Sequence, residues 1–311
     1  MTARVLEAVP NFSEGRDVTV VGAIVEAMER SGAQVLDWSS DPDHHRSVIT
    51  AVGNPEQVEQ AAVAGAAVAL ERIDLRRHSG VHPRIGAIDV LPFVPLAGLT
   101  MADARQSALR VGKRLAQELE LPVYFYGNAS TPPGRELAAL RKGGFEALAD
   151  AWPVGREPDL LPAGWQHAGA HPTAGACCVG ARPLLLAWNV WIADLDMAAA
   201  RAVAREMRAA KSGLAGVRAM ALELPSRNGL QISMNLEDVE HGSPAAVFAL
   251  VRRLIEAQGG KVIKTEVIGL IPDQLVLSVA AHELKLENAS MDRLLMHRLA
   301  DYLANNADRA G

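Results

Sequence analysis

The sequence predicts an α/β protein, or α+β in the stricter sense, with two ferredoxin-like-derived subdomains side by side. Short apolar runs alternate with segments of helical periodicity along most of the 311 residues. The order β-α-β-β-α-β, which is ferredoxin-like, is complete in the second half, and the first half begins the same way before adding elements. We therefore predict subdomains 1–180 and 181–311 with a ligand cleft between them, since a crevice between two lobes is a natural binding place.

The first half begins with strands that alternate with helices. Two of the helices carry N-terminal signals. Asn54 is a good N-cap with Pro55 at the first helical position, and Thr100 is followed by Asp103 in a capping-box arrangement. The predicted strands are 4–9, 34–38, 47–52, 87–94 and 122–126, and the predicted helices are 18–29, 55–72, 101–120 and 135–148.

A change of composition separates the two halves. Segment 151–182 is rich in proline and glycine and shows little periodicity. We interpret it as a linker that also lines a site, because long stretches without regular structure are usually functional or disordered. Beyond it the predicted strands are 183–192, 217–224, 229–236 and 261–268, and the predicted helices are 194–210, 243–257 and the terminal 288–307.

Composition excludes several classes of protein. Hydrophobic residues make up 49% and charged residues 22%, which suits a globular protein with a sizeable core. The net charge of -5 argues against nucleic acid as a partner, so an anionic ligand would need a local cluster of arginine or lysine. The longest apolar stretch, 61–70, is far too short to span a membrane, and no signal peptide is visible. We therefore expect no membrane association and a cytoplasmic location.

The stretch from Arg77 to Asp89 is the most informative. It follows a predicted helix and precedes a predicted strand, and loops in such places often carry function. His78 or His82 could take up and return a proton near neutral pH. Arg84 could hold a carboxylate with two hydrogen bonds, and Asp89 could orient a histidine or cap a turn. We favour a catalytic or substrate role for at least one histidine, with structural hydrogen bonding as the alternative.

A second polar cluster is Asp41-Pro42-Asp43-His44-His45-Arg46, between the second and third predicted strands. Carboxylates beside two histidines could bind a divalent metal, with His78 and His82 as further ligands. No zinc-type spacing such as H-E-x-x-H is present, so we prefer a solvated polar turn and predict no metal. Arg46, at the start of the third strand, is the better candidate for binding an anion.

Segment 164–182 contains glycines that would let backbone amides approach a ligand closely, among them Gly175 and Gly180. The spacing between these two is not a phosphate-binding loop, because no Lys-Ser or Lys-Thr follows, and nucleotide cofactors are not expected. The adjacent Cys177 and Cys178 fit a reducing compartment. A thiolate nucleophile is conceivable, but we prefer two small apolar residues near a strand.

Three motifs together resemble the formiminotransferase domain, which occurs alone in some bacteria and fused to a cyclodeaminase in vertebrates. They are Glu7-Ala8-Val9-Pro10-Asn11-Phe12-Ser13-Glu14-Gly15, His82-Pro83-Arg84-Ile85-Gly86-Ala87-Ile88-Asp89-Val90 and Pro122-Val123-Tyr124-Phe125-Tyr126-Gly127. Segment 175–189 is similar to the folate-facing segment of that family. The resemblance covers roughly residues 4–285 in one register.

The resemblance implies a homodimer of chains with a folate-binding cleft. It also implies transfer of a formimino group from formiminoglutamate to tetrahydrofolate, which is a co-substrate. The catalytic histidine of the family falls on His82 and one of its arginines on Arg46. The substrate-binding candidates are Asn11, Arg46, His78, Arg84, Tyr126, Gly175, Gly180 and Arg182.

The proposed chemistry is consistent with these residues. The attacking amine loses a proton and the leaving nitrogen gains one, so one histidine can serve both steps. Both substrates carry carboxylates, for which Arg46, Arg84 and Arg182 are candidate partners. Three alternatives stay open: a formyl donor, a folate-binding homologue without catalysis, and a metal hydrolase built on the 41–46 cluster. Because the sequence stops without a cyclodeaminase domain, we expect a separate protein to carry out that step.

Overall fold

A computed structural model of the protein describes residues 3–208, 214, 216–239, 242–286 and 289–300. The chain forms two units. The first comprises Met1–Pro183 and Leu222–Asn228, and the second comprises Leu184–Ala221 and Gly229–Gly311. Among the described residues, no helix is long and apolar enough to cross a membrane.

The first unit is built on a seven-stranded sheet. Its strands are β1 (Leu6–Ala8), β2 (Asn11–Phe12), β3 (Gln34–Asp41), β4 (Arg46–Gly53), β5 (Ile88–Pro95), β6 (Val123–Gly127) and β7 (Cys177–Ala181). Its helices are α1 (Val18–Arg30), α2 (Pro55–Arg72), α3 (Met101–Glu118) and α4 (Leu137–Leu140). The predicted capping residues Asn54 and Thr100 both form complete capping boxes, at α2 and α3.

The strand order of the first sheet contains a ferredoxin-like half. Strands β1 and β2 share one place between β4 and β5, and β3 pairs with the other side of β4, all antiparallel. The order β5, β1/β2, β4, β3 is that of a β-α-β-β-α-β unit. Strand β7 then pairs with β5, and β6 with β7, both in parallel. The prediction of a ferredoxin-like start followed by added elements is confirmed.

The parallel part of the sheet is buried on both faces. On β7, Cys177 belongs to the core under the helices, while Cys178 belongs to a second cluster with Tyr124 and Tyr126 of β6. Strands covered on both faces show continuous apolar runs instead of alternation. This burial also raises the pKa of both thiols, Cys177 and Cys178, far above the ordinary value. Both cysteines are free and buried, as expected for small apolar core residues.

The second unit has a four-stranded sheet in the order β11-β8-β10-β9, with β8 antiparallel to β10 and to β11. This is again the ferredoxin-like order, as predicted. Its strands are β8 (Leu186–Ala193), β9 (Val217–Leu224), β10 (Gly229–Leu236) and β11 (Lys261–Ile268). Its helices are α5 (Met197–Arg208), α6 (Pro244–Ala257) and α7 (Asp273–Leu284).

Two predictions of local structure need correction. Segment 151–182 is not a linker throughout, because β7 lies at its end in the middle of the sheet. The predicted helix 135–148 is reduced to α4 and a 3₁₀ turn at Phe145–Ala147. Gly143 and Gly144, with φ of 81° and 68°, interrupt it.

Helix α7 was not predicted, since only Leu275 of it is buried and the sequence shows no clear apolar stripe. The predicted terminal helix 288–307 lies partly outside the described residues, as do the last two residues of the predicted helix 194–210. Within the described part of the terminal segment, Met291–Arg293 forms a 3₁₀ turn.

Gly180 of β7 provides a test of the packing between β6 and β7. A Cβ at Gly180 would lie 2.3 Å from Cε1 of Tyr126. We expect Gly180→Ala to destabilise the protein by about 1–3 kcal/mol, since overpacking a core costs this much. The measurement is the midpoint of thermal unfolding.

Gly22 of α1 offers a matched control, because a Cβ there would meet nothing within 4 Å. Gly22→Ala should stabilise the protein by about 1 kcal/mol through helix propensity. Equal effects of the two substitutions would contradict the packing of Tyr126 on Gly180.

Candidate active site

The predicted site residues of the histidine loop lie at one edge of the first sheet. Phe12, the last residue of β2, pairs with Ser47 near the start of β4 and with Ile88 at the start of β5. The end of β2 and the starts of β4 and β5 therefore lie at this edge. Strand β3 ends at the same edge, where Asp41 pairs with Arg46. The β3–β4 turn, 42–45, and the loop that leads into β5, 78–86, therefore meet.

The loop 78–86 is docked on the turn 42–45 by main-chain contacts. Val81 N donates to the carbonyl oxygen of Asp43 at 3.0 Å. A Cβ at Gly80 would lie 2.2 Å from the carbonyl oxygen of His44, so only glycine fits there. Arg16 joins the two segments, since its Nε donates to the Pro42 carbonyl at 3.0 Å and its Nη2 to the Ser79 carbonyl at 2.7 Å.

His82 is held in one tautomer by its neighbours. Its Nδ1 lies 2.9 Å from the carbonyl oxygen of Pro83, which can only accept, so Nδ1 carries the proton. Nη1 of Arg46 lies against the ring, 2.5 Å from Nε2 and 3.2 Å from Nδ1. Burial lowers the pKa of His82 well below 6.5, and the charges of Arg46 and Arg141 lower it further. The ring is therefore neutral, with its lone pair on Nε2.

His78 has both ring nitrogens engaged within the protein. Nε2 donates to the carbonyl oxygen of His45 at 2.7 Å, and Nδ1 accepts from Nε of Arg84 at 2.9 Å. The ring stacks on that of His45, with centroids 4.2 Å apart and planes inclined by 8°. Burial lowers the pKa of His78 to about 4. These contacts suit a residue that positions the turn and the loop.

Glu14 contacts His45, the second ring of this stack. The Nε2 atom of His45 lies 3.3 Å from Oε1 of Glu14. Burial tends to raise the pKa of Glu14, but hydrogen bonds from His45 and from the amides of Asp17 and Arg16 outweigh it and lower the pKa to about 2. The carboxylate is therefore charged at neutral pH.

Arg84 was predicted to hold a substrate carboxylate, and a carboxylate of the protein occupies it. Its Nη1 and Nη2 donate to Oε2 and Oε1 of Glu146 at 2.9 and 2.6 Å. The Glu146 side chain is 64% exposed, against 12% for Arg84. A substrate carboxylate can bind Arg84 in this way only after Glu146 has moved.

Asp89 does not orient a histidine, which was one of its two predicted roles. Its Oδ1 accepts from the amide of Ile85 at 2.7 Å, which is the turn-capping role, and its Oδ2 pairs with Arg141.

The pKa of Arg46 is lowered to about 9, by burial first and then by the charge of Arg141, while the charge of Asp89 raises it. Arg46 is thus still protonated at neutral pH.

The carboxylates of the 41–46 cluster face protein groups. Oδ1 of Asp41 accepts from the amides of Asp43 and His44, and its Oδ2 accepts from Arg227 at 2.6 Å. Asp43 accepts from the amide and hydroxyl of Ser226, at 3.0 and 2.7 Å. Within the described residues, no group of three or more histidine, cysteine, aspartate or glutamate side chains could hold a metal ion.

These groups surround a recess that has no room for a water-sized molecule. A ligand can therefore enter this recess only if lining side chains move. Its lining residues are Ser13, His44, His45, Arg46, His78, His82, Arg84 and Asp89.

Family models match nearly the whole chain. The formiminotransferase domain, N-terminal subdomain, matches residues 5–182, and the formiminotransferase domain matches residues 187–297. The chain belongs to the formiminotransferase family. The first match ends between β7 and β8, and it contains the complete recess around His82.

The relatives of this formiminotransferase include stand-alone and fused proteins. A glutamate formimidoyltransferase of Streptococcus pyogenes is 36% identical over 288 residues, covering 92% of this chain and 95% of that protein. One of Thermoplasma acidophilum is 37% identical over 299 residues, covering 94% and 97%. A formimidoyltransferase-cyclodeaminase of Sus scrofa is 37% identical over 295 residues, covering 92% of this chain and 53% of that protein.

The other predicted substrate residues of this formiminotransferase lie outside the recess lining. Asn11 is buried, and its side chain donates to the Val9 carbonyl at 2.8 Å. Tyr126 packs on Gly180, Gly175 forms a bridge with Gly86, and Nη1 of Arg182 donates to the Pro183 carbonyl at 2.9 Å. Their substrate-binding role stays a prediction.

Sequence reasoning missed the residues that support the recess from a distance. Arg141 and Glu146 follow α4, and Ser226 and Arg227 lie in the 222–228 segment of the first unit. The pairs Arg141–Asp89 and Ser226–Asp43 span 52 and 183 positions, so no local spacing indicates them. The only available signal was that a buried Asp89 in a strand requires a cationic partner.

The low pKa of His78 predicts a loss of stability in mild acid. The unfolded chain binds a proton on this histidine near its ordinary pKa of 6.5, whereas the folded protein does so only near 4. The free energy of unfolding should therefore fall as the pH falls from 6.5 to 4, because the unfolded state binds more protons there. The His78→Gln variant should show a weaker fall, measured by urea unfolding across this range.

His282→Gln is the control, because the His282 side chain is 73% exposed and belongs to the second unit. That variant should keep the pH dependence of the wild type. A His78→Gln variant with the same dependence would show that His78 does not contribute.

Proposed function

We propose that this protein transfers the formimino group of N-formimino-L-glutamate to N5 of tetrahydrofolate, with His82 as general base and then general acid. The observation that carries the mechanism is the state of His82. The ring is neutral, its proton lies on Nδ1, its lone pair is on Nε2, and the residue lines the recess together with Arg46. The names of the full-length relatives support the choice of reaction.

The proton balance of the reaction needs one residue that can act twice. N5 forms a bond to the formimino carbon and loses a proton, which Nε2 of His82 accepts. The bond from that carbon to the glutamate nitrogen then breaks, and the same proton passes to the leaving nitrogen. Such a base supplies roughly 100- to 10,000-fold, and positioning of the two substrates supplies more.

Arginines around the site suit substrates that carry carboxylates. Arg46 lines the recess and is charged, and we propose that it binds a substrate carboxylate directly. Arg84 is a second candidate, provided that Glu146 is displaced. Arg182, together with Tyr126, belongs to the proposed folate side of the site.

We further propose that the enzyme is a cytoplasmic homodimer that uses tetrahydrofolate as co-substrate and no metal. Two buried and unpaired cysteines fit a reducing compartment such as the cytoplasm. The family resemblance supports a homodimer with tetrahydrofolate as co-substrate. Because His82 supplies the proton transfers, the proposed reaction requires no bound metal.

The donor can be identified in one assay. Purified protein is incubated with tetrahydrofolate and either N-formimino-L-glutamate or N-formyl-L-glutamate, and the folate product is followed by absorbance. We expect turnover with the formimino donor. Turnover with the formyl donor alone would change the assigned donor, and turnover with neither would contradict a transferase and favour a folate-binding homologue.

Replacement of the two loop histidines separates catalysis from positioning. His82→Ala should lower kcat by about 100-fold or more, since general acid–base help acts in the transition state. His78→Gln should have a milder effect, because His78 orients the turn and Arg84. The measurements are kcat and KM for both substrates, with circular dichroism as the control for folding.

The opposite ranking would move the catalytic role to His78. The wild-type rate should rise with pH through the pKa of His82, because only the unprotonated ring acts as the base. This ascending limb should be absent from the residual rate of His82→Ala.

A further inference from the structure

Arg46 contacts Nε2 of His82, the atom that accepts the proton in the proposed mechanism. A general base must accept a proton on Nε2 of His82, but Nη1 of Arg46 lies 2.5 Å from this nitrogen and 3.2 Å from Nδ1. Nδ1 is engaged with the Pro83 carbonyl at 2.9 Å. A cation this close opposes the uptake of a proton by the ring until Arg46 moves or is neutralised.

Arg46 differs from the two other arginines near His82. Arg84 pairs with Glu146, and Arg141 pairs with Asp89. Among the described residues Arg46 pairs with no carboxylate; its Nη1 lies against the His82 ring, and its buried Nε, like that of Arg141, has no hydrogen-bond partner in the protein. A buried guanidinium with unused donors is ready to bind an anion.

We propose that Arg46 is a latch on His82, which the carboxylate of the glutamate donor releases. Both side chains line the recess, so a carboxylate that displaces lining side chains would contact the guanidinium. A carboxylate accepts two parallel hydrogen bonds from a guanidinium, and this geometry draws Nη1 away from Nε2. The inference rests on the proposed function, because it takes its anion from the proposed donor.

Release of the latch changes the basicity of His82 as well as its hydrogen bond. The charged and titratable groups around the ring are Arg46 of β4, Arg141 after α4, which is paired with Asp89 of β5, and His44 of the turn, whose ring centroid lies 5.7 Å away. A carboxylate bound to Arg46 neutralises the nearest cation. The pKa of His82 therefore rises when the donor binds, and the ring becomes a base only in the complex.

The latch can be tested by nuclear magnetic resonance of the His82 ring. The Cε1–H signal is assigned by its absence from His82→Ala and titrated between about pH 4 and pH 9, where histidine changes charge. L-Glutamate, the proposed product, serves as the probe. We expect saturating glutamate to raise the pKa of His82 by at least about 1 unit, the size of shift that a neighbouring charge produces.

Two comparisons make the test specific for the carboxylate and for Arg46. Glutaramide, an uncharged analogue of the same length, should leave the pKa of His82 unchanged. In Arg46→Met the pKa should be raised without any ligand, and glutamate should raise it no further. Arg114→Met is the matched control, since Arg114 pairs with Glu118 on α3, and it should keep the full response to glutamate.

An unchanged His82 pKa over the whole range of glutamate concentrations would overturn the latch, and so would an equal rise in the wild type and in Arg46→Met. If Arg46→Met does not fold, the wild-type titrations with glutamate and glutaramide decide alone. The proposed function fails separately, by the absence of transfer from either donor in the assay. The latch is therefore judged from a titration that involves no turnover.

Discussion

The docking of the loop 78–86 on the turn 42–45 is the constraint on which the rest of the site depends. The Asp43 carbonyl accepts a hydrogen bond from the Val81 amide at 3.0 Å. Because Gly80 has no side chain, the loop can approach the backbone of the turn closely. Because the turn joins β3 to β4 and the loop leads into β5, the register of the sheet fixes both segments at one edge. This contact brings His82 to Arg46.

The charge of the recess follows from the same arrangement. Arg46 and Arg84 line it and Arg141 lies behind Asp89, in a protein whose net charge is -5, and two of these three arginines are matched by Glu146 and Asp89. The third, Arg46, is left with a histidine as its partner. Burial makes this arrangement costly unless an anion completes it, since a buried charge needs a counter-charge. A carboxylate-bearing substrate fits both the unmatched cation and the neutral base beside it.

Much of the fold could be predicted from the sequence, because several helix starts and most strands carry local signals. The capping residue Asn54 and the β-α-β-β-α-β order are examples. Strand β7 was missed because burial on both faces removes the alternation that marks a strand. His82 was predicted from the motif that begins His82-Pro83-Arg84, and Arg46 from its place at the start of the third predicted strand. Arg141 and Ser226 contact residues far away in the sequence, and only the folded chain shows these contacts.

The central claim is that His82 transfers the proton during group transfer, and chemical rescue tests it most directly. The His82→Gly variant leaves a gap in the recess where free imidazole can take the place of the ring. Added imidazole should restore part of the lost kcat, with a rate that rises with the concentration of its neutral form, because this form is the base. A His82→Gly variant that folds, binds both substrates and gains no rate from imidazole would contradict the assignment.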